Sequence, residues 1–110
     1  FNKVSPEDGE TTVSLSPILT WEVSPGADYY EYCYDTIDDD ACSNWINNGS
    51  STSAQLFDLP GNTTYYWHVR ATNVGGTTEA DGDTWWSFTT IDSGVEFRYT
   101  FVPFIVKYEP

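Results

Sequence analysis

The sequence has very little positive charge. Its 110 residues include four Lys and Arg but 17 Asp and Glu, which gives a formal net charge of −13. Proteins that bind nucleic acid or anionic membranes neutralise phosphates with Lys and Arg, so this balance argues against both classes of partner. We therefore expect no nucleic acid binding and no membrane insertion.

Long apolar runs and helical periodicity are also missing. No run of about eighteen apolar residues is present, so no membrane-spanning helix is predicted. No segment of about twelve residues places apolar side chains at the i, i+3, i+4 and i+7 positions of an amphipathic helix. Because an initiating Met and a signal peptide are absent, we expect a processed mature protein or a segment of a longer one.

Cysteine and histidine are sparse. The pair Cys33 and Cys42 is accompanied by no Met and by His68 as the only His. An even pair of Cys in a Ser- and Thr-rich chain favours a disulfide and an oxidising, extracellular setting, with two buried free thiols as the alternative. A structural zinc site needs more ligands than these residues supply. No nucleophile motif surrounds His68, so we expect no metal cofactor and no catalysis through this ring.

Short alternating segments between turn signals are abundant, and about seven of them occur before residue 90. In "TTYYWHVRATN", alternate residues from Tyr65 to Ala71 are predicted to point inward and those from Tyr66 to Arg70 outward. This pattern predicts an all-β sandwich or barrel. Its buried core should contain Trp21, Tyr32, Tyr65, Trp67, Val69 and Phe88.

Four segments in chain order resemble a fibronectin type III domain of the bacterial extracellular kind: "LTW", "YEYCYDT", "LPGNTTYYWHVRATNVGG" and "WWSFTT". The most specific piece is "LPG" followed by "TTY", because in the family this Tyr, here Tyr65, forms a corner by bonding back to the backbone before its strand. The acidic tip between Cys33 and Cys42 is similar to a recurring bacterial subgroup. The resemblance spans residues 5–90 and implies a seven-stranded immunoglobulin-like β-sandwich over residues 1–90. Modules of this family serve as spacers, adhesive units and fibre repeats, so the fold does not choose a function.

Acidic residues crowd the segment between the two cysteines. Asp35, Asp38, Asp39 and Asp40 are a candidate calcium site, because calcium takes several carboxylate oxygens. The segment lacks the spacing of a calcium-binding loop and a distal Glu. A solvated acidic hairpin tip is therefore the simpler interpretation.

Other candidate residues lie on predicted outer faces and in turns. Trp45, Tyr66 and Trp85 are candidates for stacking on sugars, and the alternative is cross-strand aromatic pairing. Asn48 and Asn62 begin N-x-S/T sequons, which makes them possible glycosylation sites.

The C-terminal segment differs from the rest. Residues 91–110 carry three acidic and two basic residues, a net charge of −1, and are otherwise rich in apolar side chains. We interpret them as an interaction strand, broken at Pro103, that pairs with a neighbouring subunit's sheet, folds back on its own sheet or docks on another protein. Its predicted contact residues are Val95, Phe97, Tyr99, Phe101, Val102, Phe104, Ile105, Val106 and Tyr108.

These observations predict a non-enzymatic, extracellular structural or interaction module. We expect a subunit of a surface fibre or filament whose copies join head to tail through the C-terminal strand. The alternative is a carbohydrate-binding or adhesive accessory module of a larger secreted protein. Expected partners are other copies of the chain or another surface protein, with glycans as a further class, and no cofactor is expected.

Overall fold

The structure is a computed structural model, and it describes residues 1–94. This part of the chain forms nine short strands: β1 (Lys3–Ser5), β2 (Glu10–Val13), β3 (Ile18–Trp21), β4 (Tyr29–Asp35), β5 (Ile46–Asn47), β6 (Ser53–Gln55), β7 (Thr64–Asn73), β8 (Gly76–Glu79) and β9 (Trp86–Thr90). A single tight 3₁₀ turn, Ala80–Asp83, lies between β8 and β9. Within residues 1–94, no helix has the length and apolar character needed to cross a membrane.

The strands form two packed sheets. The smaller sheet has the order β1-β3-β6 and is antiparallel. The larger sheet has the order β2-β9-β7-β4-β5, with β8 also paired to β7. Its pairs are antiparallel except for β2 and β9, which run parallel with Glu10 opposite Phe88 and Val13 opposite Thr90.

Two of the nine strands, β1 and β8, were not predicted from the sequence. Their sequences are KVS and GTTE, and neither alternates apolar with polar side chains. Both are fixed by main-chain pairing with a longer neighbour, β1 with β3 and β8 with β7. Alternation could not reveal them, because it reports burial of side chains rather than hydrogen bonding of the backbone.

The core lies between the sheets. All six residues predicted to form it are buried, and Trp67, Val69 and Phe88 have no exposed surface. Alternation along β7 therefore gave the correct inner face. The remaining core residues are Val13, Leu19, Tyr30, Ala54, Leu56, Leu59, Ala71 and Ala80.

Tyr65 does not form the corner that the family resemblance implies. Its ring stacks 5.6 Å from that of Phe88, and its hydroxyl makes no hydrogen bond within residues 1–94. The carbonyls just before its strand accept from threonine hydroxyls instead. The Pro60 carbonyl accepts from the Thr90 hydroxyl at 2.7 Å, and the Gly61 carbonyl accepts from the Thr63 hydroxyl at 2.8 Å.

The chain leaves the sandwich next to Gly61. Strand β9 ends at Thr90, and a Cβ on Gly61 would lie 2.8 Å from the Ile91 carbonyl and would also collide with the Ser93 nitrogen. A glycine is needed there because the backbone after β9 passes so close. The predicted interaction strand, Val95 to Tyr108, lies outside the described residues.

Candidate functional site

The outer face of the larger sheet carries a fully buried ionisable side chain, His68. His68 lies on the face of β7 opposite the core, as alternation predicts, but it is 0% exposed rather than solvent-facing. The Trp85 ring stacks 5.0 Å from the His68 ring, and the Trp45 ring meets it edge-on at 6.3 Å. Strand alternation places a residue on a face, but whether a loop then covers that face depends on residues distant in the sequence.

On one side of β7 the strand pairing is interrupted beside His68, which leaves a gap within the larger sheet. Strand β9 pairs with Thr64 to Trp67 of β7, and β8 pairs with Arg70 to Asn73. On this side of β7, the two residues between these ladders, His68 and Val69, pair with neither β8 nor β9, and the 3₁₀ turn lies beside β7. On the other side of β7, both residues are paired with β4. Asp81, Gly82 and Asp83 in that turn have φ values of 53°, 63° and 74°, so the backbone there departs sharply from an extended strand.

Lys3 of the other sheet fills this gap. Its side chain is fully buried, and its Nζ lies 2.7 Å from Oδ2 of Asp81. The same nitrogen donates to the Thr84 carbonyl at 2.7 Å and lies 3.0 Å from Nδ1 of His68. An ammonium has three N–H donors and no acceptor, so these three contacts satisfy it completely. Burial lowers the pKa of Lys3 below its ordinary value, although the carboxylate of Asp81 opposes this shift.

The Lys3 ammonium sets the tautomer of His68. Because Nδ1 accepts from the ammonium, the proton of the neutral ring is on Nε2. That nitrogen lies 3.0 Å from Oε1 of Glu79 and 3.3 Å from Oδ1 of Asp83, and neither contact has hydrogen-bond geometry within residues 1–94. Burial first and the Lys3 charge second lower the pKa of His68 to about 4. Burial, with a contribution from Asp83, raises the pKa of Glu79.

One group of residues has the spacing of a metal site. Among residues 1–94, His68, Glu79 and Asp83 offer ligand atoms that all lie within 4.8 Å of one another. A metal on Nε2 would require the lone pair that this tautomer does not have there, and a positive charge already lies against the other ring nitrogen. The group is better described as a neutral imidazole facing two carboxylates than as a metal centre.

The predicted calcium ligands are not brought together. Within the described part of the chain, the acidic tip contributes no cluster of ligand atoms. Asp35 accepts from the Ile37 N–H and Asp39 from the Ala41 N–H, each at 3.1 Å. These carboxylates close local turns, which is the use that a hairpin tip makes of Asp.

The aromatic candidates are only partly assembled. Trp45 and Trp85 meet with ring centres 6.2 Å apart and planes inclined at 66°, whereas Tyr66 makes no ring contact within residues 1–94. One face of Trp85 lies on His68, and Arg70 lies 4.0 Å from the centre of Trp45. Two tilted rings, each with a face already in use, fit cross-strand packing better than a flat sugar-binding platform.

The outer face is also tied down covalently. Cys33 of β4 lies directly opposite His68 and forms a disulfide with Cys42, with the Cα atoms 6.4 Å apart. The predicted disulfide is therefore confirmed. Two residues further along β7, on the same face, Arg70 donates from Nε to Oε1 of Glu31 at 2.8 Å.

The two sequons differ in their surroundings. The Asn48 amide donates to the Ser51 carbonyl at 3.0 Å and to the Ser53 carbonyl at 2.9 Å, so its nitrogen holds the turn together. Asn62 is exposed, in the turn that precedes β7. Of the two, Asn62 offers the more accessible amide for a glycan.

Sequence reasoning missed Lys3, Asp81 and Glu79 as members of a site. The available signal was the scarcity of basic residues. Both basic side chains of residues 1–94, Lys3 and Arg70, are at least half buried and paired with carboxylates. They are buried although the chain has far more acidic than basic residues, so that partners would also be available at the surface. In a chain with so few cations, each was a candidate for a specific internal role.

Comparisons with known proteins define the fold. No protein-family model and no curated protein match the sequence. Solved structures that resemble the chain include the product of a computer-based redesign of a β sandwich protein, 22% identical with a TM-score of 0.61 over 84% of this chain and 94% of that one. A structure described as a myokine is 19% identical with a TM-score of 0.57 over 82% and 96%, and FN3tt is 22% identical with a TM-score of 0.50 over 83% and 94%.

These likenesses confirm the fold class that the sequence predicts. The chain is an immunoglobulin-like β-sandwich of the fibronectin type III kind. At such low identities the likeness concerns the fold alone, and this fold does not choose a function.

Proposed function

We propose that this protein is an extracellular structural module, a subunit of a surface fibre whose copies join through residues 95–108. The observation that carries the proposal is that residues 1–94 already supply a full core and a closing strand. Every residue of the described core lies between Val13 and Phe88, and β9 is paired on both sides, to β2 and to β7. The described core is continuous without the apolar residues that follow, and burying those residues against a neighbouring copy would be favourable.

The extracellular location is part of the proposal. Its support is the Cys33–Cys42 disulfide, since such bonds persist in oxidising compartments. The net charge of −13 supports a different part of the proposal, the specific connector. Copies that repel each other need a specific contact to assemble.

The test is the assembly state of the full chain and of two matched variants. Phe104→Ser removes an apolar side chain from the predicted interaction strand, and Phe57→Ser removes the same side chain from the body, where it is 70% exposed. We expect sedimentation velocity to show large assemblies for the full chain and Phe57→Ser, and a shift towards monomer for Phe104→Ser. Deletion of residues 94–110 should leave a folded monomer. A full-length chain that stays monomeric at high concentration, or a deletion that assembles normally, would show that the segment is not the connector.

A carbohydrate-binding accessory module is the second candidate. It would use the Trp45 and Trp85 pair on the outer face, although each ring has one face already in use. Affinity electrophoresis through polysaccharide gels tests it. Retardation of the full chain that disappears in Trp45→Ala but survives in Phe57→Ser would favour this candidate. Equal mobility with and without polysaccharide would remove it.

A further inference from the structure

The ion pair of Lys3 and Asp81 joins the two ends of the domain. Lys3 belongs to β1, and Asp81 lies just before the closing strand β9. The Lys3 side chain is 0% exposed and that of Asp81 is 13% exposed, with 2.7 Å between Nζ and Oδ2. Holding two opposite charges so far from water is costly, and a neutral group of the same shape would avoid the cost.

The two side chains are held in a water-poor site by several contacts. The Nζ atom lies 5.8 Å from the centre of the Trp67 ring and 5.2 Å from that of Trp86. The Lys3 backbone N–H also donates to Oδ2 of Asp81, at 3.0 Å, and the Asp81 N–H donates to the Phe1 carbonyl at 3.0 Å. An amine and a carboxyl group fixed in this way react as if each were present at a very high local concentration.

A group that can move protons lies against the amine. Nδ1 of His68 accepts from Lys3 at 3.0 Å, while the Nε2 side of the ring faces Glu79 and Asp83 at 3.0 and 3.3 Å. When the ring takes a proton from Lys3, the two carboxylates stabilise the resulting imidazolium. Catalytic triads use the same logic, with a base whose far nitrogen faces a carboxylate.

We propose that Lys3 and Asp81 condense into a side-chain amide, with His68 as the base that carries the protons. The Nζ lone pair attacks Cγ of Asp81, so that an N–C bond forms and a C–O bond breaks. Nδ1 of His68 takes one proton from the ammonium before the attack and one from the nitrogen after it. Both protons go to the departing oxygen, which leaves as water. The ammonium and the carboxylate become one amide and one water, and no oxidant or cofactor takes part.

The surroundings also suit the product. The amide keeps one N–H, and the Thr84 carbonyl that now accepts from Nζ at 2.7 Å is placed to accept it. The retained oxygen keeps the Lys3 backbone N–H as its donor. Two buried charges disappear, and the first strand becomes bonded to the segment beside the last. This inference does not depend on the proposed fibre function.

The first test is the intact mass of the full-length chain after reduction of its disulfide. We expect a mass lower than that of the sequence by one water molecule, and a proteolytic fragment that contains both Lys3 and Asp81. A mass equal to that of the sequence would overturn the proposal without the need for any variant. A water loss that maps to the Asp81–Gly82 bond alone would also overturn it, because a cyclic imide at that bond has the same mass.

Variants of the two partners make the test specific. Asp81→Asn has a different starting mass but should lose ammonia instead of water, and so should reach the same final mass as the wild type. Lys3→Arg keeps a positive charge beside Asp81, but its guanidinium is always protonated and is a poor nucleophile, so its mass should equal that of its sequence. A water loss that persists in Lys3→Arg contradicts the proposal.

The role of His68 is tested by rate. In freshly synthesised His68→Gln, with its fold verified by near-ultraviolet circular dichroism, the mass change should be slower by about 100-fold or more, because general acid–base catalysis is lost. Glu79→Gln should slow it less, since Asp83 still faces the ring. A folded His68→Gln that reacts as fast as the wild type would show that the ring is not the base.

Discussion

The middle of β7 is fully buried on both of its faces, but by different means. On the inner face, Trp67 and Val69 are enclosed by a second sheet of apolar side chains. On the outer face, His68 is enclosed by a tight turn, two tryptophans and the ammonium of Lys3. The inner face depends on packing density, whereas the outer face depends on charges and hydrogen bonds that must all be present together. Changes on the inner face should therefore act at every pH, and changes on the outer face should depend on solution conditions.

The largest effect is expected on the inner face. Trp67→Ala should lower the free energy of unfolding by about 3–5 kcal/mol, because it leaves a large cavity between the sheets. Urea titration at neutral pH measures this loss. Tyr66→Ala, one residue away on the half-buried outer side, is the matched control and should cost much less. A loss below about 1 kcal/mol for Trp67→Ala would mean that this ring is not part of a packed core.

The outer face should respond to acid. His68 has a pKa of about 4 in the folded protein, below its ordinary value near 6.5, so the unfolded chain binds more protons between these two pH values. Stability from this group is complete above about pH 6.5 and should fall by about 3 kcal/mol as the pH drops towards 4. Glu79, whose pKa is raised, acts in the opposite direction. Urea titrations at several pH values in this range give the free energy of unfolding as a function of pH. This free energy should fall less steeply with acid in His68→Gln than in the wild type. Equal pH dependence in the two proteins would show that the ring is not buried as a neutral base.

The disulfide holds the same outer face. Reducing the bond between Cys33 and Cys42, which are nine residues apart, should cost about 2–3 kcal/mol, because the unfolded chain regains a short loop. Thermal melts with and without reductant measure the loss. The double variant Cys33→Ala/Cys42→Ala should melt identically in both conditions. Two reactive thiols in unreduced, denatured protein would refute the bond itself.

The smallest effect is expected at the exposed margin of the outer face. Arg70→Met keeps the apolar stem but removes the pair with Glu31 and the stacking on Trp45, at an expected cost of about 1 kcal/mol. Arg70→Lys is the control and should recover only part of this, because an ammonium stacks and bonds less specifically. High salt should shrink the Arg70→Met difference in urea titrations. A loss of unfolding free energy several times larger would contradict the assignment of Arg70 to the partly exposed margin of the sheet.

The sequence was informative about the inner face and much less so about the outer one. Alternation from Tyr65 to Ala71 identified the core residues, since a strand's side chains repeat every second residue. Burial of His68 depends on Lys3, 65 positions earlier, and on a turn whose Asp81 and Asp83 adopt positive φ values. Neither a long-range contact nor a left-handed backbone leaves a periodic trace in the sequence. The disulfide was predictable because its two partners were the only cysteines.

The parallel pairing of β2 with β9 has a mechanical consequence. These two strands lie at opposite ends of the described chain and point the same way, and they are linked by hydrogen bonds from Gly9 to the Ser87 carbonyl and from Ile91 to the Val13 carbonyl, each 2.8 Å long. A pulling force applied before β2 and after β9 would slide the strands past each other and load these bonds together. An antiparallel pair pulled from its open end would lose its bonds one at a time. Resistance to stretching depends on the rate of unfolding under load rather than on equilibrium stability, and this arrangement should make that rate low.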